Sequence, residues 1–245
     1  MDNRIYYAVG GYADLFKFPP RKKPLTNNWN DEDGLEVDLR VPLWDIYNVE
    51  LRVVYYPNAY SLIDRMSDKL GDKAKYLIPV SISNHTYKYH VKISEATIIY
   101  QCIKPIEFWQ DLSYERGSHR KYDVQDHTLN DIKLGDMGIL VNEVWDDLKF
   151  PQLYKEHDYG CNSLDLSGVE VYQQNKKKKT REIAARCTIP FSDKYQLLGA
   201  LAKLAEQVTQ PDEQKFDGMQ GYYTRMDECS ITRNKFEFTF NFQLI

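Results

Sequence analysis

Histidine and cysteine are the side chains best suited to metal binding or covalent chemistry, and this chain has five histidines and four cysteines. No Cys-x-x-Cys pair is formed by the cysteines, which are Cys102, Cys161, Cys187 and Cys229. Neither a zinc knuckle nor a disulfide framework is indicated, so we expect free thiols. No His-x-His or His-Glu-x-x-His spacing occurs among His85, His90, His119, His127 and His157. The sequence therefore predicts no metal site.

Motifs of hydrolases and of phosphate-binding enzymes are also missing. No Gly-x-Ser-x-Gly occurs, and residues 135–138, the closest approach to a phosphate loop, lack the Gly-Lys-Ser ending. Residues 30–34 resemble half of a calcium loop, but with Gly34 at its sixth position the first and twelfth ligands would be Trp29 and Arg40. We interpret this run as a solvated turn. We expect no enzymatic activity, no catalytic residue and no cofactor.

Composition is that of an ordinary globular protein. The chain has 245 residues, 42% hydrophobic residues and a formal net charge of -4, which disfavours a basic nucleic-acid surface. Its 19 Tyr and 10 Phe favour β structure and contact surfaces. The first residues enter an alternating apolar pattern without a signal-peptide pattern, and no apolar stretch reaches membrane length. We expect synthesis in the cytoplasm and no membrane partner.

A long repeat organises the chain. A shift of about 134 positions carries Gly34-Leu35-Glu36-Val37 onto Gly168-Val169-Glu170-Val171, and Arg52 onto Arg186, without a gap. The same shift superposes strand-like and helix-like apolar periods in the two halves. Upstream, Asp14-Leu15-Phe16-Lys17-Phe18-Pro19 has a near copy in Asp147-Leu148-Lys149-Phe150-Pro151. We interpret these coincidences as an internal duplication.

Each copy is predicted to contain a hairpin followed by one helix. In the first copy, strands at residues 35–39 and 49–55 are expected to pair across residues 40–48. In the second copy the equivalent tip is residues 173–179, whose four lysines should face water.

The helices are predicted at residues 59–70 and 193–207, each with an apolar face that packs on the strands. Further strands are predicted at residues 87–93, 96–100, 106–114 and 235–244, and the last of these should bury four phenylalanines on one side. Loops are predicted at residues 21–30 and 211–221.

These patterns predict an α+β fold that is mainly β. It would consist of two similar β-sandwich or barrel domains, each with one packed helix. The periodicity breaks near residues 115–131, where Gly117, Ser118 and His119 lie among charged residues. We therefore expect one domain at residues 1–120 and the duplicated domain at residues 121–245.

The order of these features resembles that of the tail-tube and distal-tail proteins of long-tailed bacteriophages. It runs from the Gly-x-Glu-Val strand at residue 34, through the strand at residues 49–53 and a helix, to the strands at residues 87–91 and 236–244. In that family a β-sandwich or barrel with one helix forms rings around the tail channel. Two copies in one chain resemble baseplate or tail-tip hub proteins, in which three chains form a pseudo-sixfold ring.

The resemblance implies a non-enzymatic structural protein of the virion tail, which binds copies of itself and other tail proteins. Open strand edges and hairpin tips of one protomer would complete the sheet of the next. The candidate contact segments are residues 21–30, 40–48 and 173–179.

A different class of protein also fits the sequence. A monomeric, two-domain protein could bind a carbohydrate or another small molecule in the cleft between its halves. Aromatic rings stack on sugars, so the candidate side chains are Trp29, Trp44, Trp109 and Trp145.

Overall fold

The computed structural model describes residues 6–7, 12–29, 32–55, 75–85, 94–113, 121–123, 127–145, 160–161, 170–171 and 177–245. Within them the fold is mainly β, with several sheets and few helices, as the sequence predicts. The strands are β1 (Tyr6–Tyr7), β2 (Thr26–Asn27), β3 (Glu36–Val37), β4 (Tyr47–Tyr55), β5 (Leu77–His85), β6 (Ser94–Cys102), β7 (Thr128–Leu129), β8 (Ile132–Lys133), β9 (Leu140–Trp145), β10 (Gly160–Cys161), β11 (Glu170–Val171), β12 (Glu182–Pro190), β13 (Gln214–Phe216), β14 (Met219–Ile231) and β15 (Lys235–Leu244). The α-helices are α1 (Pro105–Ser113) and α2 (Lys194–Val208). None of the described helices is both long and apolar enough to cross a bilayer.

A four-stranded antiparallel sheet comes from the first half of the chain, with the spatial order β1-β4-β6-β5. Alternation in β4 turns Val49, Leu51 and Val53 to one buried face. Opposite them in β6 lie three more buried side chains, those of Tyr100, Ile98 and Ala96. The predicted strands at residues 49–55 and 96–100 are confirmed.

A seven-stranded antiparallel sheet comes from the second half, with the order β8-β7-β13-β14-β15-β12-β9. At its centre β15 buries the four predicted phenylalanines, Phe236, Phe238, Phe240 and Phe242. Helix α2 lies against β12, and Leu204 lines a small internal cavity together with Cys187 and Phe238. The predicted helix at residues 193–207 is confirmed. It begins at Lys194 because the Asp193 carboxylate caps it, accepting bonds from the backbone N–H groups of residues 195 and 196.

The predicted hairpins are wrong in both halves. β3 and β4 do not pair with each other. β3 pairs with β2, which lies within the predicted loop at residues 21–30, and β4 pairs with β1 and β6. Likewise β11 pairs with β10, and β12 pairs with β9 and β15. Two strands close in sequence often pair. Here the long strands β4 and β12 instead pair with long apolar strands that are far away in the sequence.

Two other local predictions are wrong. Residues 106–114 were expected to form a strand, but Pro105 begins α1, whose residues Pro105, Phe108 and Trp109 are buried at helical spacing. Residues 211–221 were expected to form a loop, but β13 and β14 form a hairpin there. Its turn places Asp217 and Gly218 at φ values of 50° and 79°, the conformation that an Asp-Gly hairpin turn needs.

Several predictions lie outside the described residues. They are the helix at residues 59–70, the strand at residues 87–93, the break at residues 117–119, the near copy at residues 147–151, residues 173–176 of the lysine-rich tip, and the histidines His90, His119 and His157.

Pairing positions recur at the same shift of 134 in the two halves. Thr26 pairs with Val37 in the first ribbon, and Gly160 pairs with Val171 in the second. Isolated bridge residues occur at Trp44 and at Lys178. The pairs formed by the edge strands β1 and β9 show the same shift of 134. Tyr7 lies opposite Val53 of β4, and Val141 lies opposite Cys187 of β12.

The fourth strand of each sheet carries a β-bulge at a matching position. In the ladder between β5 and β6 the register shifts between Pro79 and Ser81, directly after the third pair. In the ladder between β14 and β15 the first shift lies between Tyr223 and Arg225, again directly after the third pair. A second shift, between Asp227 and Ser230, has no counterpart in the ladder between β5 and β6. The order β9-β12-β15-β14 in the large sheet therefore repeats β1-β4-β6-β5 in strand sequence, in direction and in the position of the first bulge.

Buried apolar side chains from both halves form one continuous cluster. It includes Val49 and Tyr100 of the first sheet, Phe108 of α1, and Leu201 and Phe240 of the second half. The division at residue 120 stays a prediction.

Gln214 joins helix α2 to the large sheet. Its side chain is 1% exposed, and its Nε2 donates a hydrogen bond to the carbonyl oxygen of Val208 at 2.8 Å. Its Oε1 accepts a bond from the backbone N–H of Tyr223 at 2.9 Å. Both polar ends of a buried amide are thus paired.

We expect Gln214→Leu to lower the free energy of unfolding by about 1–3 kcal/mol, because it leaves two buried backbone groups without partners. Gln220→Leu changes an exposed residue of the same sheet and should shift it by at most about 0.5 kcal/mol. Urea unfolding monitored by circular dichroism measures both values. Equal stabilities of the two variants would contradict this role of Gln214.

Candidate functional site

The glycines that suggested a phosphate loop have structural roles. Gly138 adopts a left-handed conformation (φ 83°) and ends the 3-10 helix Leu134–Met137. A Cβ atom at Gly135 would lie 2.1 Å from the carbonyl oxygen of Tyr122. Among the described residues, no group of three His, Cys, Asp or Glu side chains could hold a metal ion. His127 instead bonds Asp217, with Nδ1 and Oδ2 2.7 Å apart, and this contact lies beside the hairpin turn.

Cys102, Cys187 and Cys229 are free thiols, as the sequence predicts. Burial raises the pKa of Cys102 to about 11 and the pKa of Cys229 to about 12. Burial also raises the pKa of Cys187, which packs under α2. These thiols stay protonated at neutral pH, so they are poor nucleophiles.

Residues 14–22, which we call the arm, carry the first half of the chain onto the second. The arm begins on the small sheet, where Oδ2 of Asp14 accepts a bond from the backbone N–H of Glu50. It ends on the large sheet, where the N–H of Arg21 donates to the carbonyl oxygen of Thr224 at 2.8 Å. Thr224 is the bulge residue of β14. The arm therefore covers the bulged strand of the other half.

Two aromatic side chains outside the arm, those of Trp109 and Tyr223, hold it in place. The ring of Phe18, which is 1% exposed, meets the ring of Trp109 edge-on with centroids 4.5 Å apart. The indole N–H of Trp109 donates to the carbonyl oxygen of Lys17 at 3.2 Å. The hydroxyl of Tyr223 donates to the carbonyl oxygen of Pro19 at 3.3 Å. The arm is thus anchored to α1 and to β14.

Arg21 is the one charged side chain buried at this junction among the described residues. Its guanidinium lies over the Tyr222 ring at 5.3 Å, and its Nη2 is 3.5 Å from the carbonyl oxygen of Leu39. Burial lowers the pKa of Arg21, and the nearby Tyr222 partly opposes that shift. The side chain remains a cation at neutral pH because an arginine begins from a very high pKa.

The predicted contact segments at residues 21–30 and 40–48 lie side by side. Lys22 N–H donates to the carbonyl oxygen of Leu43, and Asp45 N–H donates to that of Pro20. The two segments expose five large apolar side chains, Leu25, Trp29, Val41, Leu43 and Ile46. Clustered exposure of this kind is typical of a contact surface.

The third predicted segment, the lysine-rich tip, has a partner in its own chain. Lys178 N–H donates to Oδ1 of Asp33 at 2.7 Å, and Gly34 N–H donates to the carbonyl oxygen of Lys178 at 3.0 Å. The turn at residues 32–34, which we expected to be simply solvated, therefore docks on the second half. The side chains of Lys178 and Lys179 are exposed, as predicted.

Strand β5 forms an exposed edge. It pairs with β6 on one side, and no described strand lies along its other side. Ile78, Val80 and Ile82 are 45%, 52% and 40% exposed. Apolar edge strands invite pairing with another chain. Sequence analysis did not assign this strand, although Ile78, Val80 and Ile82 alternate with Pro79, Ser81 and Ser83.

The four candidate tryptophans do not come together. Trp44 and Trp109 line a groove of about 790 Å³ whose walls also include Leu43, Pro105 and Ala205, so both halves contribute to it. Trp29 instead bonds Glu36, with Nε1 and Oε2 2.7 Å apart. Trp145 ends β9. The structure thus brings two of the four into one groove between the halves.

Comparison with known proteins adds no relative, since neither a family profile nor a curated protein matches this chain.

We expect Phe18→Ala to release the arm from β14, because the variant loses its contact with Trp109. Amide exchange at Arg21 should accelerate at least about tenfold more than exchange at Arg186, which lies in the middle of the large sheet. Leu25→Ala, at a side chain that is 81% exposed, should leave both rates unchanged. Hydrogen exchange followed by NMR measures them, and equal acceleration at both amides would contradict a locally anchored arm.

Proposed function

We propose that the chain arose by internal duplication and that its two copies share one sheet-plus-helix, sandwich- or barrel-like shape. The matching strand order, the pairing positions 134 residues apart and the matching bulges support this. A bulge is a specific feature that families retain, so two bulges at the same ladder position are weighty support. The helix α2 is the packed helix of the second copy.

We further propose that the protein is a non-enzymatic, ring-forming structural component of a bacteriophage tail or baseplate. The observation that carries this proposal is the contact between the copies. The arm of the first copy seals the bulged strand of the second, while the equivalent strand β5 is exposed. The contact forms once within the chain, on β14, and the equivalent site on β5 stays free in the part of the chain that the structure describes. A head-to-tail ring needs such a free site on every protomer, because the next protomer binds there.

The resemblance in feature order to tail-tube and distal-tail proteins supplies the biological setting. In that setting the protein is made in the host cytoplasm and assembled into the virion tail. Its partners are copies of itself and neighbouring tail or baseplate proteins. The exposed apolar side chains at residues 25–46 offer those neighbours a second surface.

We expect the purified protein to form a closed oligomer. Light scattering after size exclusion should give a small integer multiple of 28.9 kDa, with three chains the expected number for a pseudo-sixfold ring. Because a ring has no free end, the mass should stay constant over a hundredfold range of concentration, and negative-stain images should show a central channel. A constant mass of one chain would refute the ring.

The groove at Trp44 favours a second candidate function, a monomeric protein that binds a carbohydrate or another small molecule. The groove lies between the two halves, and Trp44 is half-buried beside the exposed Leu43. An indole at such a position could stack on a sugar ring.

For the second candidate we expect tryptophan fluorescence to change when mono- and oligosaccharides are titrated into the protein. Trp44→Ala should abolish the change, because it removes the stacking ring. Trp145→Ala, outside the groove, should preserve it. A monomer that responds in this way would favour the binding protein over the ring, and a response that survives Trp44→Ala would exclude this groove.

A further inference from the structure

The bulge of β14 at Thr224 is covered by the arm. The N–H of Arg21 donates to the carbonyl oxygen of the bulge residue Thr224 at 2.8 Å. One residue earlier, the hydroxyl of Tyr223 donates to the carbonyl oxygen of Pro19. Thr224 is half-buried as a result. An unpaired backbone group at a bulge thus gains a partner from an extended segment of the other copy.

The equivalent bulge in β5 has the same ladder position but no comparable cover. Its bulge residue, Val80, is 52% exposed, and Ile78 and Ile82 on either side are 45% and 40% exposed. No described strand of the same chain pairs with this edge. Three apolar side chains on an unpaired strand edge are costly to leave in water.

The sequence offers one segment built like the arm. Asp147-Leu148-Lys149-Phe150-Pro151 repeats the Asp-Leu start and the Phe-Pro end of Asp14-Leu15-Phe16-Lys17-Phe18-Pro19. It belongs to the second copy and lies outside the described residues. In the arm, Phe18 anchors on Trp109 and Pro19 accepts the bond from Tyr223, so the shared Phe-Pro pair is the part that makes contact.

We infer that the exposed edge of β5, centred on Val80, is the docking site for a second copy of this chain, which presents its residues 147–155 there. The inference rests on the ring-forming function proposed above. Within the chain the contact runs from the first copy to the second, not back to the sheet of its own copy. If the contact repeats in the same direction, the arm-like segment of the second copy binds the β5 edge in the first copy of the next protomer.

This direction makes the interface heterologous. Each protomer contributes one arm-like segment and one receiving strand, so the same contact repeats around the assembly. The apolar side chains of β5 would be buried by the partner, and the backbone groups at the bulge would be paired by it. A return of the segment to β5 of its own chain would instead give a monomer in which this edge is already covered.

Val80→Asp tests the docking site, because it places a charge where the partner would lie. We expect the mass in solution to fall from the wild-type multiple to 28.9 kDa, with the circular dichroism spectrum unchanged. Tyr195→Asp, at an exposed position of α2, should keep the wild-type mass. An oligomer that survives Val80→Asp would overturn the docking site and leave the ring proposal standing. A monomeric wild-type protein would overturn both.

A cross-link keeps the inference testable if Val80→Asp does not fold. Leu153 stands two residues after Pro151, as Arg21 stands two residues after Pro19. Mixing the Val80→Cys protein with the Leu153→Cys protein should give a disulfide-linked dimer on a non-reducing gel, and neither variant alone should do so. The double variant should link chains into a ladder. A double variant that closes only within single chains would overturn the inference.

Discussion

The hydrogen bond from Arg21 N–H to the carbonyl oxygen of Thr224 joins the two halves of the chain at the weakest point of a sheet. An edge strand presents backbone donors and acceptors that must be paired or hydrated, and a bulge leaves one residue of the ladder without its regular partner. The arm meets both needs at β14. It can do so because Phe18 and Pro19 anchor it to Trp109 and Tyr223, so the backbone of Arg21 arrives in a fixed position.

The need to pair the backbone at a bulge also applies to β5 of the first sheet. Its ladder with β6 repeats the bulge of β14, but its bulge residue Val80 is exposed where Thr224 is half-buried. The difference lies in what covers the strand and not in the strand itself. In a chain built of two copies, as we propose for this one, each contact between copies has two possible sites. A single protomer can form the contact at one site and leave the other site open.

The sequence was sufficient where structure is local. Alternating phenylalanines predict β15, and the leucine face predicts α2. It failed where a choice between distant partners decides the structure, because β4 and β12 pair with strands about 50 residues away and not with their neighbours. Helix α1 was missed because its apolar residues fit both a period of two and helical spacing.

The interaction surfaces were only partly predictable for a related reason. Polar and turn-forming residues identify residues 21–30 and 40–48 in the sequence, and in the structure these segments expose apolar side chains. The lysine tip looked equally free, yet its backbone is bonded to Asp33 through a contact 145 positions away. The β5 bulge has no sequence signal, since the alternation of Ile78, Val80 and Ile82 with Pro79 and Ser81 continues through it without a break. It became recognisable only beside its counterpart in β14.

Charge gives little help to association between copies of an acidic chain. At a formal net charge of -4, like copies repel weakly at long range, so the association that we propose would depend on short-range burial and backbone pairing. The exposed side chains Ile78, Val80 and Ile82 supply apolar area, and the bulge supplies backbone groups that only an extended segment can reach. A partner that offered apolar surface alone would leave those groups unpaired. The proposed receiving strand would therefore select for an extended segment like the arm, and the sequence has one further Asp-Leu to Phe-Pro run at residues 147–151.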